Sequence, residues 1–207
     1  MEGVQISGGV NFVRKTINGV QIAGIFNFAH KINGTQIGVF NYADSSNGLS
    51  IGFLSFVKNG KKTISIGSND FAPLNISYKS GNFKLYNIIQ VSGQIQKNNQ
   101  MLSVGYGLGY NHHPLRKWQI IHELGIHTIY AGNWNDQNLL LRYQFLIQRK
   151  LNKAFSIYCG PTINFLYHEN STVYTGFKAP FQHSYPSYKI NNNLALWLGW
   201  TAGINLW

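Results

Sequence analysis

Residues 18–43 read NGVQIAGIFNFAHKINGTQIGVFNYA. One phrase is said twice: Asn-Gly, then Gln-Ile, a small residue, apolar residues, Asn, an aromatic, Ala. Two more units flank it. The four are GVQISGGVNFV from Gly3, GVQIAGIFNFA from Gly19, GTQIGVFNYA from Gly34 and GLSIGFLSFV from Gly48, with starts 16, 15 and 14 residues apart. Asn-Gly pairs stand at 18–19, 33–34, 47–48 and 59–60. Asn-Gly is a strong signal for a tight turn, because both residues tolerate positive φ. One strand per repeat then gives an antiparallel meander. The alternative is a small β-solenoid that stacks Gln5, Gln21, Gln36 and Ser50 in one column and Asn11, Asn27, Asn41 and Ser55 in another. Unequal spacing favours the meander, since a solenoid wants a constant coil.

A strand apolar on nearly every side fits apolar surroundings, and the composition agrees. Of the 207 residues, 11% are charged and 14% aromatic, with 22 Gly and 5 Pro. Soluble domains carry about 25% charged residues. No run approaches the roughly 20 apolar residues of a membrane helix. The single Cys159 excludes an internal disulfide. Residues 1–17 lack the basic start and apolar core of a secretory signal, so a leader removed or truncated is expected.

Residues 61–207 alternate with period two. Leu139, Leu141, Tyr143, Phe145 and Ile147 face one way, and Leu140, Arg142, Gln144, Leu146 and Gln148 the other. Trp118, Ile120, Leu124, Ile126 and Tyr130 oppose Gln119, Glu123, Gly125 and His127. The polar faces hold Gly, Ser, Asn, Gln and Thr, as a narrow lumen would. Trp118 and Tyr130, like Phe155 and Tyr167, lie twelve residues apart. At about 3.3 Å per residue and a tilt near 40°, each pair brackets some 30 Å of bilayer.

These features, with the final LALWLGWTAGINLW, resemble Gram-negative outer-membrane β-barrels, whose last strand commonly ends in an aromatic residue. The NGxQIGxxNxA units are similar to those of uncharacterised bacterial surface-repeat proteins. One departure is that Trp197 and Trp207 fall on the polar face by strict alternation, which a bulge or frayed end would explain.

The expected fold is all-β: a single antiparallel up-and-down transmembrane barrel over 1–207. About twelve strands are expected, four from the repeats at 3–58 and eight from 61–207. Sorting turns alternately sends Lys31, Lys58, Lys61, Lys62, Lys79, Lys84, Arg116, Lys117, Arg149, Lys150 and Lys153 to one rim, the periplasmic one. The other rim receives Arg14, Lys15, Lys97, Lys178 and Lys189 with Asp44, Asp70, Asp136 and Glu169. Spread over turns in this way, the net charge of +11 does not form the contiguous path, interleaved with aromatics, that nucleic acid would want.

Glu123 and Arg142 are left in the lumen and are expected to pair there, with His127, Gln119 and Gln144 as further lumen groups. HELGIH at 122–127 is not the zinc-protease motif, because on a strand His122 and Glu123 point to opposite faces. His112 and His113 read as a solvated turn. Neither a metal nor a cofactor is expected. The long segment 169–189, carrying Tyr174, Phe177, Phe181, Tyr185 and Tyr188, reads as an extracellular recognition loop folded partly over the barrel mouth. The expected role is a non-enzymatic surface or pore-type protein of the bacterial outer membrane, in contact with its lipid. The alternatives are a soluble β-rich repeat protein with a binding or structural role and, last, an outer-membrane lipid-modifying hydrolase.

Overall fold

The computed structural model describes residues 1–97, 99–113, 115–169, 174–177 and 186–207. It contains strands and no helix among them. The strands fall into two units, and the first corrects the meander.

Residues 4–57 form a β-solenoid of four coils. Each coil has a short strand, a corner and a longer strand. The short strands β1 (Val4–Ser7), β3 (Val20–Ala23), β5 (Thr35–Ile37) and β7 (Leu49–Ile51) make one parallel sheet. The longer strands β2 (Val10–Ile17), β4 (Phe26–Ile32), β6 (Phe40–Ser46) and β8 (Leu54–Val57) make a second. Equivalent residues stack: Gln5 on Gln21 on Gln36 on Ser50, and Asn11 on Asn27 on Asn41 on Ser55.

The unequal spacing is absorbed at two points. A bulge at Arg14 and Lys15 takes up one residue where β2 meets β4. The corner at Gly38 and Val39 is one residue shorter than the corner before it. The Asn-Gly pairs at 18–19, 33–34 and 47–48 are therefore corners, not hairpin turns, while Asn59-Gly60 lies in the tight turn between Val57 and Lys61, where Gly60 N donates to the Val57 carbonyl at 3.0 Å. Gly19, Gly34 and Gly48 do not use left-handed backbone. A Cβ on any of them would strike the backbone of the coil beneath, which for Gly34 means the carbonyl of Gly19.

Inside the solenoid the amide columns satisfy one another. Asn27 Nδ2 donates to Asn41 Oδ1 at 2.9 Å and to the Ile37 carbonyl at 2.7 Å. Gln36 Nε2 donates to Gln21 Oε1 at 2.8 Å. Ile17, Ala29, Ile32 and Ala43 fill the rest. Outside, Phe12, Phe28, Tyr42 and Phe56 stack face to face at 4.5–5.7 Å. Tyr42 Oη donates to Asp44, and burial in the ring stack together with that carboxylate raises its pKa above the ordinary value.

The remaining chain closes an eight-stranded antiparallel barrel. Its strands are β9 (Lys61–Asn69), β10 (Leu74–Gly81), β11 (Leu85–Gln94), β12 (Met101–Asn111), β13 (Trp118–Tyr130), β14 (Asn138–Lys150), β15 (Phe155–His168) and, after the short β16 (Ser187–Lys189), β17 (Leu194–Leu206). Each pairs with the next, β15 pairs with β17, and β17 returns to β9. The repeats contribute no staves, so twelve barrel strands become eight. The closing seam is short. β9 meets only Thr201–Leu206 of β17, and beyond it β16 covers Ala195–Trp197.

The last coil docks on the outer wall of β10–β12. Asn82 Nδ2 donates to the Gly48 carbonyl at 2.6 Å, and Tyr106 Oη to the Gly52 carbonyl at 2.6 Å. Phe53 stacks on Tyr106 at 5.0 Å.

The rim sorting changes accordingly. Arg14, Lys15, Lys31 and Asp44 belong to solenoid coils, not to barrel turns.

Candidate functional site

The barrel wall places its polar side chains inside, together with apolar clusters such as Tyr86, Ile88, Ile121 and Leu146, and presents apolar side chains outside. The alternation holds on all four long strands. Arg142, Asn164, Gln119 and Ser156 are buried in the lumen, while Leu124, Ile126, Leu141 and Leu198 are 51%, 50%, 43% and 70% exposed on the outer wall. Trp197 obeys the alternation without a bulge. It is a lumen side chain, 4% exposed, whose Nε1 donates to Asp70 Oδ2 at 2.6 Å.

Two charged centres sit within the lumen. In one, Arg142 Nη2 donates to Asp70 Oδ1 at 2.7 Å and to the Trp200 carbonyl at 3.1 Å. Asn164 Nδ2 donates to Asp70 Oδ2 at 3.2 Å. In the other, Lys79 Nζ and Tyr86 Oη both donate to Glu123 Oε1, at 2.5 and 2.7 Å. Lys61 lies beside this centre, its ammonium 4.2 Å from the Tyr86 ring centre and 4.7 Å from that of Trp207.

Glu123 and Arg142 are thus both in the lumen, as expected, but they do not pair. Each has a partner that the rim sorting placed elsewhere. Asp70 leaves the β9–β10 turn and enters the lumen with Phe71 and Ala72, where they pack with Met101, Ile129, Leu140, Leu166 and Trp197. Lys79 and Lys61 are 4% and 1% exposed. A signal for both lysines was present in the sequence. Lys61 shares parity with Thr63 and Ser65, and Lys79 with Asn75 and Ser77, all of them buried. Nothing local marked Asp70.

The other lumen residues are where alternation put them. Gln119, His127 and Gln144 are 1%, 3% and 8% exposed. Glycines make room for the large groups: a Cβ on Gly109 would strike the Tyr86 ring, and one on Gly105 the His127 ring. The space left among Gln90, Gly105, Glu123, His127 and Gln144 is about 10 Å³, room for one water at most.

His122 faces outward and meets Tyr143 Oη at 2.5 Å, with the rings of His112 and Phe145 at its edge. It belongs to an aromatic cluster near the rim formed by the turns at 82–84, 112–117 and 151–154. Among the described residues no group of three or more His, Cys, Asp or Glu is arranged to hold a metal.

Of the recognition loop, Tyr174, Phe177 and Tyr188 are placed; Phe181 and Tyr185 lie outside the described residues. The Phe177 side chain lies against the outer wall. Phe177 packs edge-on to Tyr130 at 5.4 Å, and Asn133 Nδ2 donates to Tyr174 Oη at 2.9 Å. With Leu74, Ile76, Val91, Leu102 and Tyr130, Phe177 lines an apolar crevice of about 660 Å³ on the outer wall. The reason is local packing: Tyr130, already stacked on Trp134 at 4.6 Å, offers an aromatic surface. Tyr188 lies on β16 against the open part of β17, 71% exposed.

No family model matches this chain, and no curated protein matches its sequence.

Proposed function

We propose that the chain is a membrane-embedded barrel of the bacterial outer membrane, closed to passage, that carries the solenoid and the loops of one rim as a non-enzymatic surface element. The observation that carries this reading is the inverted wall. Each charged residue buried in the lumen is held there by polar or aromatic partners, while the outer wall between the rims is predominantly apolar. In water such a surface would far exceed the few hundred Å² that monomeric proteins expose. Against hydrocarbon it is the expected lipid face, and closure removes the strand edges of the wall except at the seam beyond Thr201, which β16 covers over Ala195–Trp197. Trp118 and Phe155 near one rim, and Tyr130 and Tyr167 near the other, fit interfacial aromatic belts.

The turns on one rim carry Lys84, Arg116, Lys117 and Lys153. The other rim carries Asp136 and Glu169 beside Lys97 and Lys189. Because outer-membrane barrels keep their longer loops outside, the rim bearing 169–193 is assigned to the cell exterior and the basic rim to the periplasm.

The tight packing of the lumen, with about 10 Å³ left beside Glu123, His127 and Gln144 and Arg142, Leu140 and Leu166 fully buried, favours a plugged barrel over a pore. Expression behind a cleavable leader in a Gram-negative host tests both parts. The protein should fractionate with the outer membrane, resist urea extraction and, once purified in detergent, give no conductance steps in planar bilayers. Recovery as a monomer without detergent would overturn the membrane reading and favour the soluble repeat protein. Regular conductance steps would overturn the plugged lumen.

A further inference from the structure

The solenoid repeats the barrel's inversion on a smaller scale. Its interior holds buried Gln and Asn columns, with Gln21, Gln36 and Asn27 fully buried, beside the small apolar cluster of Ile17, Ala29, Ile32 and Ala43. Its outward residues are apolar over most of each coil: Ile37 and Ile51 on one sheet, Phe40 on the other, and Ile25, Val39 and Phe53 at the corner between them. Their exposures run from 38% to 56%. Only the opposite end is polar, where Arg14, Lys15, His30, Lys31 and the exposed column Asn18, Asn33 and Asn47 gather. A soluble solenoid would place this polarity the other way round.

The docking contacts fix the depth of each end. The polar end sits level with the basic rim, because the Gly48 carbonyl accepts from Asn82 in the β10–β11 turn. The apolar corner sits halfway along the wall. The Gly52 carbonyl accepts from Tyr106, at the centre of β12, and from Asn87 on the outer face of β11. Asn87 is a polar residue on the apolar wall and is 1% exposed, so the solenoid shields the one amide there that hydrocarbon would reject.

We propose that the solenoid is a lipid-embedded wedge. Its apolar corner column occupies the acyl region of the leaflet on the basic-rim side, and its polar end lies among the headgroups. This rests on the membrane reading of the barrel. The charge pattern agrees: Arg14, Lys15, Lys31 and Lys58 outnumber Glu2 and Asp44, the latter held by His30 at 2.6 Å, and join the basic rim, where anionic headgroups attract cations. The edge of β1 has no outer neighbour among the described strands. Acyl chains do not accept an unpaired strand edge, and the first coil stacks in register on the second down to its corner at Gly8 and Gly9, so at acyl depth a further strand pairs with that edge.

The test uses the full chain in liposomes, in a Cys159→Ser background because Cys159 is exposed on the wall. Single cysteines at Ile25 and Val39 report the corner, at Lys15 the polar end and at Leu141 the barrel wall. Each carries an environment-sensitive fluorophore, quenched either by lipids spin-labelled deep in the acyl chain or by aqueous iodide. The expected result is deep-lipid quenching at Ile25 and Val39 within about twofold of that at Leu141, with Lys15 quenched by iodide alone. Leu141 quenched by lipid while both corner sites are quenched by iodide would overturn the wedge and leave the barrel reading intact. Corner sites shielded from both quenchers would also overturn it, in favour of a covering protein or a second copy. Iodide quenching at Leu141 would remove the barrel reading and the wedge with it.

Discussion

Glu123 draws its partners, Lys79 and Tyr86, from β10 and β11, across the lumen from its own strand β13. Arg142, one strand further on, is taken by Asp70 instead. In a confined lumen each charge is held by whatever counter-charge the closed wall delivers, and loss of one partner leaves the other buried and unpaired. Glu123→Gln should therefore cost about 3–5 kcal/mol. Adding Lys79→Met should recover much of that loss, because the uncompensated ammonium is then gone. The measurement is urea unfolding from detergent micelles followed by tryptophan fluorescence, run as a double-mutant cycle. A parallel cycle of Glu123→Gln with Arg142→Met should show clearly weaker coupling. Equal coupling in the two cycles would restore the direct pairing suggested by sequence.

At the scale of the element, the repeat is held by its inner columns rather than by its corners. Asn27 contributes two donated hydrogen bonds, to Ile37 and Asn41, from a fully buried position. Asn27→Ala would orphan both acceptors at about 1–3 kcal/mol each. Asn33→Ala removes a member of the exposed Asn column at the coil's polar end and should change stability by no more than about 0.5 kcal/mol. Proteolytic susceptibility of residues 4–57, with the barrel intact, reads the difference. A tenfold rise in cleavage rate with Asn27→Ala and none with Asn33→Ala is expected. Similar behaviour of the two variants would argue against inner columns as the source of coil stability. Gly34→Ala should resemble Asn27→Ala, since its Cβ would meet the Gly19 carbonyl directly.

For the whole molecule, the wall must satisfy lipid outside and a packed polar filling inside. Leu141 lies mid-strand on the outer wall, whereas Leu151 is exposed in the turn after β14 on the basic rim. An arginine at mid-bilayer costs about 2–4 kcal/mol and near the interface about 0–1. Leu141→Arg should thus impair assembly into liposomes while Leu151→Arg assembles normally; equal yields would argue against a lipid face. The same logic makes Gln144→Arg damaging, although it faces the polar side, because the space beside it is about 10 Å³. A lumen that is polar is not for that reason roomy.

The sequence by itself determined the all-β class, the eight staves after residue 61, and the face of each long-strand side chain. These are period-two properties, and a strand's pleat converts sequence parity into sidedness without help from the rest of the chain. It also determined that Glu123, Arg142, His127, Gln119 and Gln144 face inward. The partner of each charge was beyond it, because partners are assigned by closure of the wall and by a turn that folds inward at Asp70. The arrangement of the repeats was beyond it as well. An Asn-Gly pair fits a hairpin and a solenoid corner equally, and only stacking of one coil on the next shows that Gly19, Gly34 and Gly48 serve close approach rather than positive φ. Tertiary structure alone decided that the repeats lie against the outer wall of the barrel instead of within it. That choice hangs on contacts such as Asn87 and Tyr106 with Gly52, which join residues up to 54 apart in the chain and leave no periodic trace in it.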